Sequence, residues 1–257
     1  MAPSSDNSFV HAVNRLRLIA QPWASRMNPR PPEGHQRGGY FLRELVFGAN
    51  DGLVSNIALI AGLAGGTNNP GVILLGGVAG LAAGAISMSL GAYVSTKSEQ
   101  EFRDSEEQRE RWEIENMRDQ ELAETRHIFR LKGITGPLLD EVIEAVSRDH
   151  EQWVKLMMTE ELGFADQSPR PIISALVMGL AFAVGAFFPV LPYFVFQGET
   201  AFMASLSLTA VALFGVGALR ALMTTGSMWR KGVEMVVLGG SAVAIANLIG
   251  RTIGVTI

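Results

Sequence analysis

The sequence contains no cysteine and only four histidines among its 257 residues. Without cysteine the chain forms neither disulfides nor thiolate metal sites. A closed structural zinc site is also not expected, because such sites are built mainly from cysteine and histidine. A metal site in this chain would therefore rely on other ligands.

Charge is absent from long parts of the chain. No Asp, Glu, Lys or Arg occurs from Gly52 to Thr96, a run of 45 residues. One membrane span needs only about 20 residues, and the turn-forming sequence GGTNNPG divides this run in two. Three further apolar runs follow later in the chain. The sequence thus predicts five transmembrane helices, near residues 41–64, 70–96, 171–198, 200–219 and 233–250.

The charge that is present is concentrated between the second and third spans. Of the 25 acidic residues, 19 lie between Lys97 and Asp166, against 10 of the 21 Lys and Arg residues. This negative field repels phosphate, so nucleic acid is not an expected partner. Helix-favouring residues dominate the segment, which predicts a helical domain at 97–168 with helical regions at 98–132 and 138–162 and a break in the second region near Asp149.

Basic residues predict the orientation in the membrane. The N-terminal 1–38, predicted to be a disordered arm, is rich in arginine, and Arg230 and Lys231 follow the fourth span. The connections GGTNNPG and QGET carry no basic residue. Because basic loops stay in the cytoplasm, the N-terminus and the helical domain are expected there. The predicted fold is an all-α membrane protein, with helices 1–2 in 39–96 and helices 3–5 in 169–257.

Acidic residues fall on one face of the first helix of the predicted cytoplasmic domain. Steps of three or four residues align Glu106, Glu110, Glu113, Met117, Glu121 and Glu124. This face is either a solvated charged surface or a cation site. A straight helix would hold Glu110 and Glu124 about 21 Å apart. Either the helix breaks near residues 116–119, so that both glutamates bind one ion, or several ions bind along the face.

The segment LMMTEELGF places Met157 and Met158 one turn before Glu161. Packing is the commoner role of methionine. A thioether beside a carboxylate, however, suits a borderline transition ion better than Mg²⁺ or Ca²⁺.

Two carboxylates fall within the first predicted span. Glu44 and Asp51 share a helix face with Ser55, and a charged residue at such a depth is costly. The second span carries a stripe of glycines and serines, bordered by Met88, that favours close helix packing. Packing does not explain the carboxylates, and an intramembrane Asp indicates an ion or proton path. The polar groups of Asn56 and Asn247 are predicted to form interhelical hydrogen bonds.

Three motifs resemble one known family. They are ANDGLVSNIALIAGLAGG, AAGAISMSLGAYVSTKSE and LMMTEELGF, and the chain from about Gly38 onward is similar to the vacuolar iron transporter family. This resemblance implies a dimer with five spans per subunit and a transport pathway between the subunits. It also implies a cytoplasmic helical domain that collects metal, and proton-coupled movement of Fe²⁺, often also Mn²⁺, out of the cytosol.

The resemblance also implies functional roles for individual residues of this sequence. It implies a transport pathway through Glu44, Asp51 and Met88. It also implies a cytoplasmic metal-binding set: Glu110, Glu113, Glu121, Glu124, Met157, Met158 and Glu161. The sequence departs from some family members in having Gly80 instead of an acidic residue, and in lacking a proline near Asn116.

The predicted function is secondary active transport rather than catalysis. The protein is expected to export Fe²⁺ as a homodimer in the bilayer, with protons as the coupling ion and no permanent cofactor. Mn²⁺, Co²⁺ and Zn²⁺ are further candidate substrates. The expected location is the inner membrane of a bacterium or a vacuole-like membrane of a eukaryote. Two alternatives stay open: a membrane-anchored ferroxidase, for which Glu124 and His127 form one Glu-x-x-His pair, and a metal sensor.

Overall fold

A computed structural model describes residues 39–164, 170–223 and 226–254. These residues form α-helices and one 3₁₀ helix, Leu191–Phe194, with no β-strand among them. The predicted disordered arm, 1–38, lies outside the described residues. The α-helices are α1 Gly39–Gly66, α2 Pro70–Asn116, α3 Arg118–Leu131, α4 Pro137–Ser147, α5 His150–Glu160, α6 Pro171–Val190, α7 Gly198–Met223 and α8 Met228–Gly254.

Five of these helices are long and apolar enough to cross a membrane. The spans are Phe41–Gly66, Pro70–Asn116, Pro171–Phe194, Gly198–Ala221 and Met228–Gly254. The prediction of an all-helical protein with five spans is therefore confirmed for the described residues. The chain is a multi-pass membrane protein.

Two span boundaries differ from the predicted ones. The helix that carries the second span does not end near residue 96, because α2 continues as one helix to Asn116 and includes the start of the acidic segment. The third span is shorter than predicted: α6 ends at Val190 and the 3₁₀ helix takes over. Pro192 has no N–H for a continuing α-helix, which explains this early end.

The predicted break near Asp149 is confirmed, and of the two alternatives for the acidic stripe the structure shows the helix break near 116–119. Met117 leaves helical geometry, with φ −125° and ψ 34°, between the end of α2 and the start of α3. Asp149 is extended and caps α5, its carboxylate accepting hydrogen bonds from the backbone N–H groups of Glu151 and Gln152 at 3.0 and 3.2 Å. A side-chain oxygen at this position satisfies N–H groups that the first helical turn leaves free.

The described residues divide into two compact units, here called the membrane unit (39–97 and 170–254) and the helical unit (98–164). The helical unit has its own apolar core, in which Trp153 is fully buried among side chains of α2 to α5. The indole N–H of Trp153 donates to Thr125 Oγ1 at 2.8 Å. This bond ties α5 to α3 inside the core.

In the membrane unit, α1 packs against α6 and α8. Glycines bring the backbones of α1 and α6 into contact: a Cβ on Gly52 would lie 2.2 Å from the carbonyl oxygen of Phe182. A Cβ on Gly185 would likewise lie 2.2 Å from the carbonyl oxygen of Ala49. No larger residue fits at either position unless a backbone moves, so these glycines fix the crossing of the two helices.

We therefore expect Gly185→Ala to destabilise the membrane unit by about 1–3 kcal/mol, because the new methyl group overpacks the contact with α1. The apparent melting temperature of the detergent-solubilised protein should fall. Gly215→Ala in α7 is the matched control, since a Cβ there meets no atom within 4 Å. Equal melting temperatures for the two variants would show that the contact between α1 and α6 is looser than described.

Candidate functional site

The membrane unit contains a cavity of about 270 Å³ between α1, α2 and α6. Both intramembrane residues predicted as metal ligands, Asp51 of α1 and Met88 of α2, line it. The other lining residues are Ser55, Asn56, Leu59, Gly80, Gly84, Ser87 and Phe182. The structure thus brings a carboxylate and a thioether to one intramembrane space.

Helix periodicity and small residues account for this cavity. Asp51, Ser55 and Leu59 are four residues apart on α1 and so share one face. The facing part of α2 presents Gly80 and Gly84, which have no side chains to fill the space. The ring of Phe182 takes some of that space, because a Cβ on Gly84 would lie 2.2 Å from it. No pattern in the sequence indicates that α6 contributes Phe182 to this wall.

Asn56 makes two interhelical hydrogen bonds at the cavity. Its Nδ2 donates to the carbonyl oxygens of Gly77 on α2 at 3.2 Å and of Ala186 on α6 at 2.8 Å. Asn247 on α8 similarly donates to the carbonyl oxygen of Ala61 on α1 at 2.9 Å. The predicted interhelical role of both asparagines is confirmed.

Glu44 is not part of the cavity lining. It precedes Asp51 by seven residues, about 10 Å along the axis of α1. Its side chain is only 5% exposed, and its Oε2 has no hydrogen-bond partner among the described residues. A buried carboxylate oxygen without a hydrogen-bond partner is available to bind a proton or a cation.

The helical unit contains a second candidate site, made of three carboxylates. Glu110 of α2, Glu121 of α3 and Glu161, which follows α5, each place one oxygen within 4.8 Å of the others. The break at Met117 interrupts the straight helix, and Glu110 and Glu121, which are 11 positions apart, come together across it. Oxygens on one divalent ion, at about 2.1 Å each, lie up to about 4.2 Å apart, so small side-chain movements would suffice for binding.

Burial and the proximity of the other carboxylates raise the pKa of each member of this group. Burial, and then the charges of Glu121 and Glu161, raise the pKa of Glu110 to about 8. Burial and the charge of Glu124 raise the pKa of Glu121 to about 7. The pKa of Glu161 is raised by the same two causes. Glu110 Oε1 and Glu121 Oε2 are buried and have no hydrogen-bond partner among the described residues.

The other two predicted glutamates border this group. The charges of Glu113 and Glu124 both raise the pKa of Glu121 and of Glu161. Glu113 also accepts a hydrogen bond from Arg109 Nε at 3.1 Å. A cavity of about 490 Å³ beside the group is lined by Glu124, Glu161 and His127, with Gln120, Ala123 and Ile128.

The two predicted methionine ligands lie in the apolar core of the helical unit. Met157 is fully buried and Met158 is 4% exposed. The hydroxyl of Thr125 lies 3.4 Å from Met157 Sδ and 2.7 Å from the backbone oxygen of Glu121. Met157 therefore packs beside the turn of α3 that carries Glu121.

The histidines of the helical unit do not form a paired Glu-x-x-His arrangement. His127 follows Glu124 by three residues, but His150 Nε2 lies 3.9 Å from Glu115, which is outside the three-carboxylate group. Within the described residues, that group includes no histidine. This geometry does not favour the di-iron centre that a ferroxidase would need.

The raised pKa values predict how the metal-free protein responds to pH. A carboxyl whose pKa is raised by folding stabilises the folded state below its unfolded pKa, and this contribution is lost as pH rises through the folded value. For Glu110 and Glu121 the window runs from 4.5 to about 8. In chelator, the melting temperature of the full chain should fall across this window, by about 2–4 °C for each kcal/mol lost.

Glu110→Gln should reduce this fall, because the amide stays neutral at every pH. The control is Glu144→Gln, which replaces an exposed carboxylate that pairs with Arg148 at 2.7 Å. This control should retain the pH dependence of the parent. A Glu110→Gln variant with the full pH dependence would contradict the electrostatic description of the group.

The chain has extended similarity to known proteins. Residues 42–251 match the VIT family. "Vacuolar iron transporter 1" of Oryza sativa is 35% identical over 233 residues, which cover 90% of this chain and 92% of the relative. "Vacuolar iron transporter 1" of Arabidopsis thaliana is 32% identical and covers 92% and 96%. "Protein CCC1" of Saccharomyces cerevisiae is 30% identical and covers 83% and 69%. The family resemblance of the sequence motifs is confirmed, and the chain belongs to the VIT family.

Proposed function

We propose that this protein exports Fe²⁺ from the cytosol across a membrane in exchange for protons. The observation that carries the proposal is the meeting of Asp51 and Met88 in one intramembrane cavity. A carboxylate within an apolar span is costly, and a cation path is a function that explains its retention. The names of the relatives from rice and Arabidopsis support iron as the substrate.

The donor set of the cavity supports a transition ion over Mg²⁺ or Ca²⁺. Those two ions take oxygen ligands, whereas a thioether is a soft donor. Fe²⁺ is a borderline ion that accepts both carboxylate and thioether ligands. Co²⁺ and Zn²⁺ are further candidate substrates on the same argument, and Mn²⁺ is a candidate through the oxygen ligands.

The helical unit would capture the ion on the cytoplasmic side. Glu110, Glu121 and Glu161 would bind it directly, because one oxygen of each already converges on the others, and Glu110 and Glu121 each have a buried oxygen without a hydrogen-bond partner among the described residues. Glu113 and Glu124 would add negative charge and further ligands at the rim. Met157 and Met158 are buried in the apolar core and would bind the ion only after their side chains turn out of it. They are therefore the members of the predicted ligand set whose role requires the largest structural change.

Proton coupling would act on the intramembrane carboxylates. A carboxylate binds a cation when it is ionised and releases it when it is protonated. Protons from an acidic outer compartment would reach Asp51 or Glu44 and weaken binding there. The ion would then leave on the acidic side.

The distribution of basic residues supports a cytoplasmic N-terminus and a cytoplasmic helical unit. In a eukaryote the receiving compartment would be vacuole-like, and in a bacterium it would lie outside the inner membrane. Both are acidic relative to the cytosol, as the coupling requires.

A homodimer would complete the pathway. The apolar window of α2 is only 11% buried within one chain, the least of the five spans, and α2 forms one wall of the cavity. A second subunit against this face would enclose the cavity between the two chains. Light scattering of the detergent-solubilised protein should give the mass of two chains, and the mass of one would contradict the dimer.

The transport site is tested by replacing its carboxylate. Asp51→Asn keeps the shape of the side chain but removes its charge, and should abolish Fe²⁺ uptake into proteoliposomes with an acidic lumen. Glu199→Gln is the control, because it neutralises another carboxylate of the membrane unit, in the first turn of α7 and outside the cavity lining. This control should transport like the parent. Parental Fe²⁺ uptake by Asp51→Asn would exclude the proposed site.

A further inference from the structure

We propose that Asn56 is a third ligand of the ion in the membrane cavity, binding through its amide oxygen Oδ1 and favouring hard divalent cations. This inference rests on the proposed transport function and extends its site. Asp51 and Met88 then supply a charged oxygen and a sulfur, and Asn56 supplies a neutral oxygen.

The orientation of the Asn56 amide is fixed by its two donated hydrogen bonds. Nδ2 reaches the carbonyl oxygens of Gly77 and Ala186, at 3.2 and 2.8 Å, on two different helices. Carbonyl oxygens only accept hydrogen bonds, so the flipped amide would set oxygen against oxygen. Both donors of the side chain are used, and Oδ1 must point away from these two carbonyls.

That oxygen is buried without a partner. Asn56 is only 2% exposed, and Oδ1 has no hydrogen-bond partner among the described residues. A buried acceptor without a partner is costly, and such a group in a folded protein calls for an explanation. Asn56 lines the same cavity as Asp51 and Met88. A cation in that cavity would supply the missing partner.

The facing helix comes close to this oxygen at Gly80. A Cβ on Gly80 would lie 2.9 Å from Oδ1 and 2.4 Å from Leu59 Cδ2. Any side chain at position 80 would therefore crowd the amide oxygen or displace Leu59. Glycine, the residue that departs from some family members, thus leaves room beside Oδ1, and a small movement of Leu59 would bring this oxygen into contact with an ion.

An amide oxygen suits a transport site for a chemical reason. It adds a hard ligand, of the kind that Mn²⁺ prefers, without adding negative charge. Asp51 then remains the only carboxylate among the residues of one chain that line the cavity. The asparagine would therefore shift selectivity toward harder ions without adding a further proton-binding group to the lining.

The experiment compares uptake of Mn²⁺, a hard ion, with uptake of Cd²⁺, a soft ion, in proteoliposomes. Asn56→Ala and Asn56→Asp both remove the two donated hydrogen bonds, but only Asn56→Asp retains an oxygen of the same reach. Asn56→Ala should lower the ratio of Mn²⁺ to Cd²⁺ uptake about tenfold, the effect of about 1.4 kcal/mol of selective binding. Asn56→Asp should keep a ratio at or above that of the parent.

Asn247→Ala is the matched control, because it removes an interhelical asparagine hydrogen bond outside the cavity lining. It should leave the uptake ratio unchanged. If Asn56→Ala does not give monodisperse protein, Asn56→Ser replaces it, since its hydroxyl can still donate a hydrogen bond while the amide oxygen is gone.

A ratio in Asn56→Ala or Asn56→Ser that equals the parental ratio would overturn the inference. An equal fall of the ratio in the alanine and aspartate variants would also overturn it, because it would reflect the lost interhelical hydrogen bonds. If the parent protein takes up neither ion, the result would instead contradict the proposed transport function.

Discussion

The close contact between α1 and α6 determines which side chains reach the membrane cavity. Gly52 and Gly185 allow the two backbones to touch, and Asn56 reaches from α1 to carbonyl oxygens of both α6 and α2. With α1 held in this way, Asp51 is directed toward the glycine face of α2 and toward Met88. The small residues have two effects: they permit close packing, and they leave empty space where an ion can bind.

The helical unit also brings acidic side chains together, but it does so through a break in a helix. The break at Met117 lets Glu110 and Glu121, on two segments of one acidic stripe, approach each other, and the chain after α5 adds Glu161. The apolar core around Trp153 holds these segments together against the repulsion of their carboxylates. Burial, and then the repulsion of neighbouring carboxylates, raise the pKa values of Glu110 and Glu121, and a bound cation would relieve this repulsion. Both candidate sites thus depend on helix packing that holds carboxylates in partly buried positions, where the charged form is less stable than in water.

The sequence predicted the features that depend on local patterns. Uncharged runs indicated the five spans, and the distance between Glu110 and Glu124 on a straight helix left two alternatives, of which the break near 116–119 is the one observed. It did not predict that Pro192 would end the third span early or that α2 would run on to Asn116. Nor did it predict the free oxygen of Asn56, since hydrogen bonding depends on residues distant in the chain. The burial of Met157 agrees with packing, the commoner role of methionine, rather than with the ligand role that the resemblance implied. The sequence motifs pointed to the family, but the contribution of α6 to the cavity required the structure.

The central claim is that movement of the metal ion is coupled to movement of protons through the membrane cavity. The most direct test follows Fe²⁺ and lumenal pH together in proteoliposomes of the unaltered protein, under anaerobic conditions, with and without an acidic lumen. The account predicts that an acidic lumen accelerates Fe²⁺ uptake and that the lumen becomes more alkaline as Fe²⁺ enters. Fe²⁺ uptake at the same rate with and without the gradient, and without a change in lumenal pH, would contradict it.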